Sequence, residues 1–337
     1  MRLLKVTIAY DGTAYAGWQV QRDEPTVQGA LEAAIAQVTG QAVRVLASGR
    51  TDAGVHALGQ VVGFRTESAL PPEVLLRALN AVLPRDIAVL DAAEAPEGFH
   101  PIRGAVRKRY RYVIHDGPVR DVFQRRYVWH YGRGRLDAEA MQRAAAPLLG
   151  RHDFRSFQSS GAERRSSVRT IFELRVQRGR AGDRLPSPLG RGAGGEGRAG
   201  EQLPSPDQPS VGARRGAGGE GDSDVGCVQR TVDAGGNSGC RGAFHAPYEP
   251  TIQQGRGGEP DFLPHAEREE YEECIVIEVE ADGFLYNMVR AIVGTLVQVG
   301  CGRQPESWPG EVLRAADRRV AGPTAPPQGL FLVRVEY

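Results

Sequence analysis

The chain has 337 residues, 41% hydrophobic and 25% charged, a balance that predicts a globular protein of about two domains. It holds no apolar run of the roughly 18 residues a membrane span needs, and Met1–Gly12 has neither the apolar core nor the cleavage site of a secretion signal. Four irregularly spaced cysteines (227, 240, 274, 301) exclude a disulfide scaffold and point to a reducing cytoplasm, while a net charge of +1 argues against wholesale nucleic-acid coating but not against a local basic patch.

Along the chain, Leu4, Val6, Ile8 and Tyr10 alternate as on a strand over 3–10. Thr26 caps a predicted helix to Val38 that Gly40 ends. Val43–Ser48 and Gln60–Thr66 read as strands. Pro71-Pro72 opens a helix stopped by Pro84, and Ile87–Leu90 is a fourth strand. This β-α-β-β-α-β order predicts an α+β fold of split βαβ type with a largely antiparallel sheet. Further on, Tyr110–His115, Arg126–Trp129, Ser167–Gln177, Cys274–Ala281 and Leu330–Val335 read as strands. Helices are expected over Asp137–Leu149, Gly283–Gly300 and Pro305–Arg319, the second with a broad apolar stripe.

Residues 178–270 break this pattern. They hold 21 Gly and 9 Pro in 93 residues and repeat a unit, Leu185-Pro186-Ser187-Pro188 with Arg191–Gly197, at Leu203-Pro204-Ser205-Pro206 with Arg215–Gly221. Such a composition buries too little apolar surface to offset its ordering entropy, so a disordered insertion between neighbouring strands is expected. Outside it, 31 basic and 27 acidic residues remain, a net +4.

Three features can carry chemistry. Gly49-Arg50-Thr51-Asp52-Ala53-Gly54-Val55-His56 is a loop between predicted strands. A guanidinium beside Asp52 would keep it ionised, as a nucleophile, base or metal ligand needs; the plain alternative is a turn with an Arg50–Asp52 salt bridge. His56 alone reads as structural. On the run Arg103–Tyr112, Arg107, Arg109 and Arg111 point one way and Lys108, Tyr110 and Tyr112 the other. Arginines grip phosphates and aromatic rings stack on unpaired bases, so the run suits RNA; a solvated basic face over core tyrosines is the alternative. Further basic stretches (Arg120, Arg125, Arg126, Arg133, Arg135; Arg164, Arg165, Arg169) imply a polarised surface. Arg290, on the flank of an apolar helix, calls for an anionic partner or snorkels. Asp11-Gly12-Thr13 suggests an aspartyl phosphotransferase, but Ala9 stands where a second Asp would be needed. Cys227, Cys240, His245 and His265 fit no zinc spacing.

In order, the chain carries Tyr10-Asp11-Gly12, Gly17-Trp18-Gln19, the Gly49–His56 run, Gly59-Gln60-Val61-Val62 and Arg109-Tyr110-Arg111-Tyr112. His152-Asp153-Phe154, Val168-Arg169-Thr170-Ile171, Asn287-Met288-Val289-Arg290 and Gly329-Leu330-Phe331-Leu332 follow. Their succession resembles the tRNA pseudouridine synthase family of the TruA type over about 244 residues, all but 178–270. The resemblance implies isomerisation of uridine to pseudouridine in the anticodon stem-loop of tRNA, with no metal or cofactor, by a homodimer. It implies two α/β domains around a cleft, here 1–97 and 98–177 with 271–337. It also implies Asp52 as nucleophile, Tyr110 stacking at the target uracil, Arg290 pairing with the carboxylate, and Arg50 positioning RNA or the Asp. Phe99-His100 is followed by Pro101-Ile102-Arg103, which shifts the family's next arginine by one position. An inactive RNA-binding descendant of such an enzyme is the alternative function.

Overall fold

Strand β1 (Arg2–Tyr10) buries Leu4, Val6, Ile8 and Tyr10, and helix α1 (Val27–Thr39) sets Leu31 and Ile35 against them. The ends of α1 follow from single residues. The Thr26 side chain accepts from Gly29 N, a cap worth about 1 kcal/mol, and Gly40 closes the helix in the left-handed conformation. Strands β2 (Leu46–Ala47) and β3 (His56–Thr66), helix α2 (Pro72–Val82) and strand β4 (Ile87–Glu94) complete the first half in the expected order. The computed structural model describes residues 1–159, 166–180 and 273–337.

The second half adds β5 (Arg107–His115), β6 (Trp129–His130), α3 (Ala138–Ala145), β7 (Gly150–Asp153), β8 (Val168–Arg180) and β9 (Glu273–Ala281). Helices α4 (Met288–Gly300) and α5 (Trp308–Ala315) precede the closing strand β10 (Leu330–Glu336). Among the described residues one mixed sheet runs β4-β1-β3-β10-β5-β9-β8-β7, with β2 on β3 and β6 on β5. The last strand in sequence thus lies in the middle of the sheet. β10 pairs parallel with β3 at Phe331↔His56 and Leu332↔Ala57, and antiparallel with β5 from Leu330↔Tyr112 onward. Even-numbered residues of β1 and β5 (Leu4, Val6, Ile8; Tyr110, Tyr112, Ile114) join the helices in one apolar cluster. Val113, Cys274 and Phe331 form a smaller one with Val128.

Several elements differ from expectation: β2 covers only Leu46–Ala47 of the expected 43–48, β3 begins at His56 rather than Gln60, β5 at Arg107 rather than Tyr110, and β7 was not expected, while four further differences have a local reason. Helix α4 starts at Met288 rather than Gly283, because Asn287 adopts φ 59°, a left-handed conformation that asparagine tolerates better than most residues. The helix expected over 305–319 stops at Ala315; Ala316 is left-handed and Asp317 caps a separate short turn by accepting from Arg319 N. The strand expected at 126–129 shifts to Trp129–His130, since the Arg126 carbonyl and Tyr127 hydroxyl are held by His56 and Asp11. Strand β8 runs on to Arg180, where Arg180 pairs with Glu273 of β9. The two strands are therefore neighbours, as anticipated, and residues 178–180 belong to the ladder. The rest of the expected insertion, with its repeat, Cys227, Cys240, His245 and His265, lies outside the described residues, as do Arg164 and Arg165.

No described helix is long and apolar enough to cross a membrane.

Candidate active site

The loop bearing Asp52 returns from β2 to the start of β3, beside the point where β10 and β3 part. β2 meets β3 at Val62 and Gly63, so residues 48–55 run back alongside β3 to His56. Four backbone carbonyls of residues 48–52 are held. Ser48 O accepts from Lys108 Nζ at 2.7 Å, and Gly49 O from Gln60 Nε2 at 2.8 Å. Thr51 O accepts from Trp18 N at 3.0 Å, and Asp52 O from Val55 N at 3.1 Å. Beneath it, Thr51 Oγ1 shares a 2.8 Å hydrogen bond with the Tyr10 hydroxyl, whose pKa burial pushes up to about 12. Gly17 backs the loop at φ 106°; a Cβ there would stand 2.8 Å from Thr51 O, so only glycine allows the approach.

Asp52 is a quarter exposed and its carboxylate meets the Arg290 guanidinium at 3.4 Å. Arg290 reaches it from the first turn of α4. Its Nε donates to Ala325 O at 2.7 Å, its Nη1 to Asn287 Oδ1 at 2.8 Å, and its own carbonyl accepts from Ala325 N. That two-way clasp requires the 322–325 segment to lie on α4, which Gly294 permits: a Cβ would overlap Pro323 O. Burial raises the Asp52 pKa above the usual carboxylate range, and Arg290 works against that rise. The expectation that a sequence neighbour keeps Asp52 ionised is therefore corrected. The pairing cation is Arg290, and desolvation outweighs it. Arg50 is exposed and, among the described residues, forms no ion pair with Asp52.

Tyr110 lies in β5 between Leu332 of β10 and Val279 of β9, 8% exposed, with its ring edge-on to Phe284 at 4.9 Å. Phe284 belongs to the stretch expected to be helical; as a loop it supports Tyr110 instead. Two residues on, Tyr112 is fully buried and donates to Pro326 O at 2.7 Å. Lys108, Gln60 and Asn287 stand within the sequence motifs above, but neither they nor Phe284 were expected to play a role at the site. The available signal for Gln60 was a polar side chain directly before the apolar pair Val61-Val62, and for Lys108 its being one of only two lysines.

The opposite face of β5 is not a free basic surface. Arg107 pairs with Glu280, Arg109 with Glu173, Glu278 and Glu280, and Arg111 with Glu278; Arg334 of β10 also meets Glu280. This corrects the reading of that run as phosphate-gripping: its arginines are neutralised by glutamates of β8 and β9. Burial works to raise the Glu280 pKa, but three guanidiniums outweigh it and hold the carboxyl below its usual range. Arg120, Arg125, Arg126, Arg133 and Arg135 are all exposed, in a stretch whose Phe123 is 87% exposed. Arg103 is exposed too, with its backbone N donating to His100 Nδ1.

His56 and Asp11 serve the frame. His56 Nδ1 accepts from Gly12 N at 3.1 Å and Nε2 faces the Arg126 carbonyl at 2.9 Å, the pattern of a neutral ring. Burial keeps its pKa below the usual histidine range against the pull of Asp11. Asp11 caps a short turn through Thr13 N on Oδ1 and accepts from the Tyr127 hydroxyl on Oδ2, so both of its carboxylate oxygens are engaged in the frame. Among the described residues, no group of three or more His, Cys, Asp and Glu side chains is placed to hold a metal ion. A cavity of about 570 Å3 bordered by Arg44, Arg65, Phe99 and His100 includes none of the candidate residues.

A carboxylate on the loop before β3, paired with a guanidinium from α4, with a buried tyrosine on β5 across β10, describes an enzyme site for nucleophilic or proton-transfer chemistry. The family model for tRNA pseudouridine synthase matches residues 6–102, 144–201 and 220–337. Proteins named tRNA pseudouridine synthase A from Moorella thermoacetica and Thermoanaerobacter sp. (strain X514) are 40% and 34% identical, each over the whole of both chains. One of the same name from Myxococcus xanthus is 34% identical over all of this chain and 92% of its own. The chain belongs to the tRNA pseudouridine synthase family.

Proposed function

We propose that this chain isomerises uridine to pseudouridine in the anticodon stem-loop of tRNA, with Asp52 as the nucleophile. The reaction breaks the bond from the ribose to N1 of uracil and makes one to C5. C5 loses a proton and N1 gains one, so atoms and electrons balance within the substrate. The work left to the protein is to extract the base, hold it while it turns, and supply one well-placed carboxylate. Unstacking a base costs a few kcal/mol, which contacts to the RNA must offset.

The pairing of Asp52 with Arg290, from residues 238 apart in sequence, carries this reading. It joins the two most informative motifs in one site. Arg290 favours the ionised carboxylate in a partly desolvated loop, where a nucleophile is most effective. Tyr110 stacks at the target uracil. Arg50, exposed beside Asp52, contacts RNA rather than the carboxylate, and the exposed arginines between 120 and 135 hold backbone phosphates. The two α/β halves, 1–97 and 98–177 with 271–337, form the walls around this site, and the working unit is a cytoplasmic homodimer. Mapping pseudouridines in tRNA from cells lacking the gene tests the proposal. Loss confined to the anticodon arm supports it, and an unchanged map refutes it.

A further inference from the structure

The loop that carries Asp52 is held from below by two side chains that do not belong to it. Gln60, fully buried in β3, accepts from Ser48 Oγ at 2.5 Å through Oε1 and donates to Gly49 O at 2.8 Å through Nε2. Both ends of one amide are thus occupied by consecutive residues of the turn, and Ser48 is itself 1% exposed. Lys108, on β5, donates its ammonium to Ser48 O at 2.7 Å. It shares a strand face with Tyr110 and Tyr112, so it links the strand that presents Tyr110 to the loop that presents Asp52. Gly49 leaves room for this link: a Cβ there would stand 3.3 Å from the ammonium.

We infer that Lys108 and Gln60 are positioning residues, which fix the Ser48–Asp52 backbone against β5 and so set the reach of Asp52 toward a base held at Tyr110. The inference rests on the proposed function above. Its physical content is that a charge-assisted hydrogen bond and a buried amide bonded through both its oxygen and its nitrogen define one loop geometry. Displacing a reacting group by about 1 Å can cost on the order of 100-fold in rate. Neither residue needs to touch the substrate. A structural role alone would lower stability and leave turnover per folded molecule unchanged; a positioning role lowers turnover in a folded protein.

The test compares full-length wild type with Lys108→Met, Lys108→Arg and Gln60→Met. It uses single-turnover rates on an unmodified tRNA transcript, tRNA affinity, and hydrogen–deuterium exchange at the amides of Trp18 and Val55. Those amides donate to Thr51 O and Asp52 O and so report the loop directly. For Lys108→Met the expected result is a rate about 10- to 100-fold lower, tRNA affinity within about threefold, and faster exchange at both amides. Lys108→Arg, which can still donate to Ser48 O, recovers most of the rate. Wild-type rate together with wild-type exchange overturns the inference. So does an affinity loss that matches the rate loss, which would make Lys108 an RNA contact. If Lys108→Met fails to fold, Gln60→Met carries the same comparison. If wild type forms no pseudouridine, the functional reading fails, while the exchange data still decide whether the clamp holds the loop.

Discussion

Replacing Glu280 by Gln separates the two readings of the arginines on β5. The Glu280 side chain is 5% exposed and accepts from Arg107 at 3.0 Å, Arg109 at 2.9 Å and Arg334 at 3.1 Å. Glu280→Gln keeps the shape but removes the charge at the centre of three guanidiniums. Breaking a buried ion pair costs about 3–5 kcal/mol. Here Arg107 and Arg334 are about half-exposed and water screens them, which lowers the expected loss to about 2 kcal/mol. For a folded body of this size that is a fall in Tm of about 4–8 °C. Because Glu280 is held below its usual range in the fold, its stabilisation is fully present above the unfolded glutamate pKa of about 4.3. It is lost as pH falls through the folded value, so the Tm gap to wild type must close in acid. Calorimetry across pH measures this, with tRNA binding followed over a salt series. If the arginines serve the sheet, affinity and salt slope stay at wild-type values. An unchanged Tm with affinity raised tenfold or more would refute the reasoning and return these arginines to the RNA.

Arg290→Met removes the cation whose charge and hydrogen bond work against the rise of the Asp52 pKa. Activity that needs ionised Asp52 is lost as pH falls through that pKa, so the acidic limb of the kcat profile moves to higher pH in the variant; an unmoved limb would mean that Asp52 is not the group titrating. Replacing residues 181–272 with a short turn leaves folding and tRNA turnover intact, because Arg180 and Glu273 already face each other across the β8–β9 ladder. Circular dichroism and a turnover assay check this, and an unfolded product would show that the replaced stretch supports the fold.

Local chemistry was readable where one residue decides an outcome. Thr26 and Gly40 bound α1, Pro71-Pro72 opens α2, and alternation in β1 selects its buried face. Long-range pairing was not. The nearest cation to Asp52 in sequence is Arg50, whereas the cation beside it in space comes from α4. Arg107, Arg109 and Arg111 read as a basic stripe because their partners lie on other strands. Glu278 and Glu280 carry the same two-residue period, and only the register Arg109↔Glu280 and Arg111↔Glu278 reveals the match. The start of α4 was misjudged because Phe284 and Leu285 fit the apolar stripe, while the left-handed Asn287 behind them cannot be inferred from hydrophobic spacing. The Asp52 loop itself was legible as a turn and as a candidate site at once, and its supports on β3 and β5 depend on the sheet topology.

The central claim is that Asp52 performs the isomerisation. Purified wild type and Asp52→Ala, incubated with an unmodified tRNA transcript, test it most directly by mass spectrometric mapping of pseudouridine. The claim predicts product in the anticodon arm with wild type, none with Asp52→Ala, and comparable tRNA affinity for both. Product formed by Asp52→Ala, or none formed by a folded, tRNA-binding wild type, would contradict it.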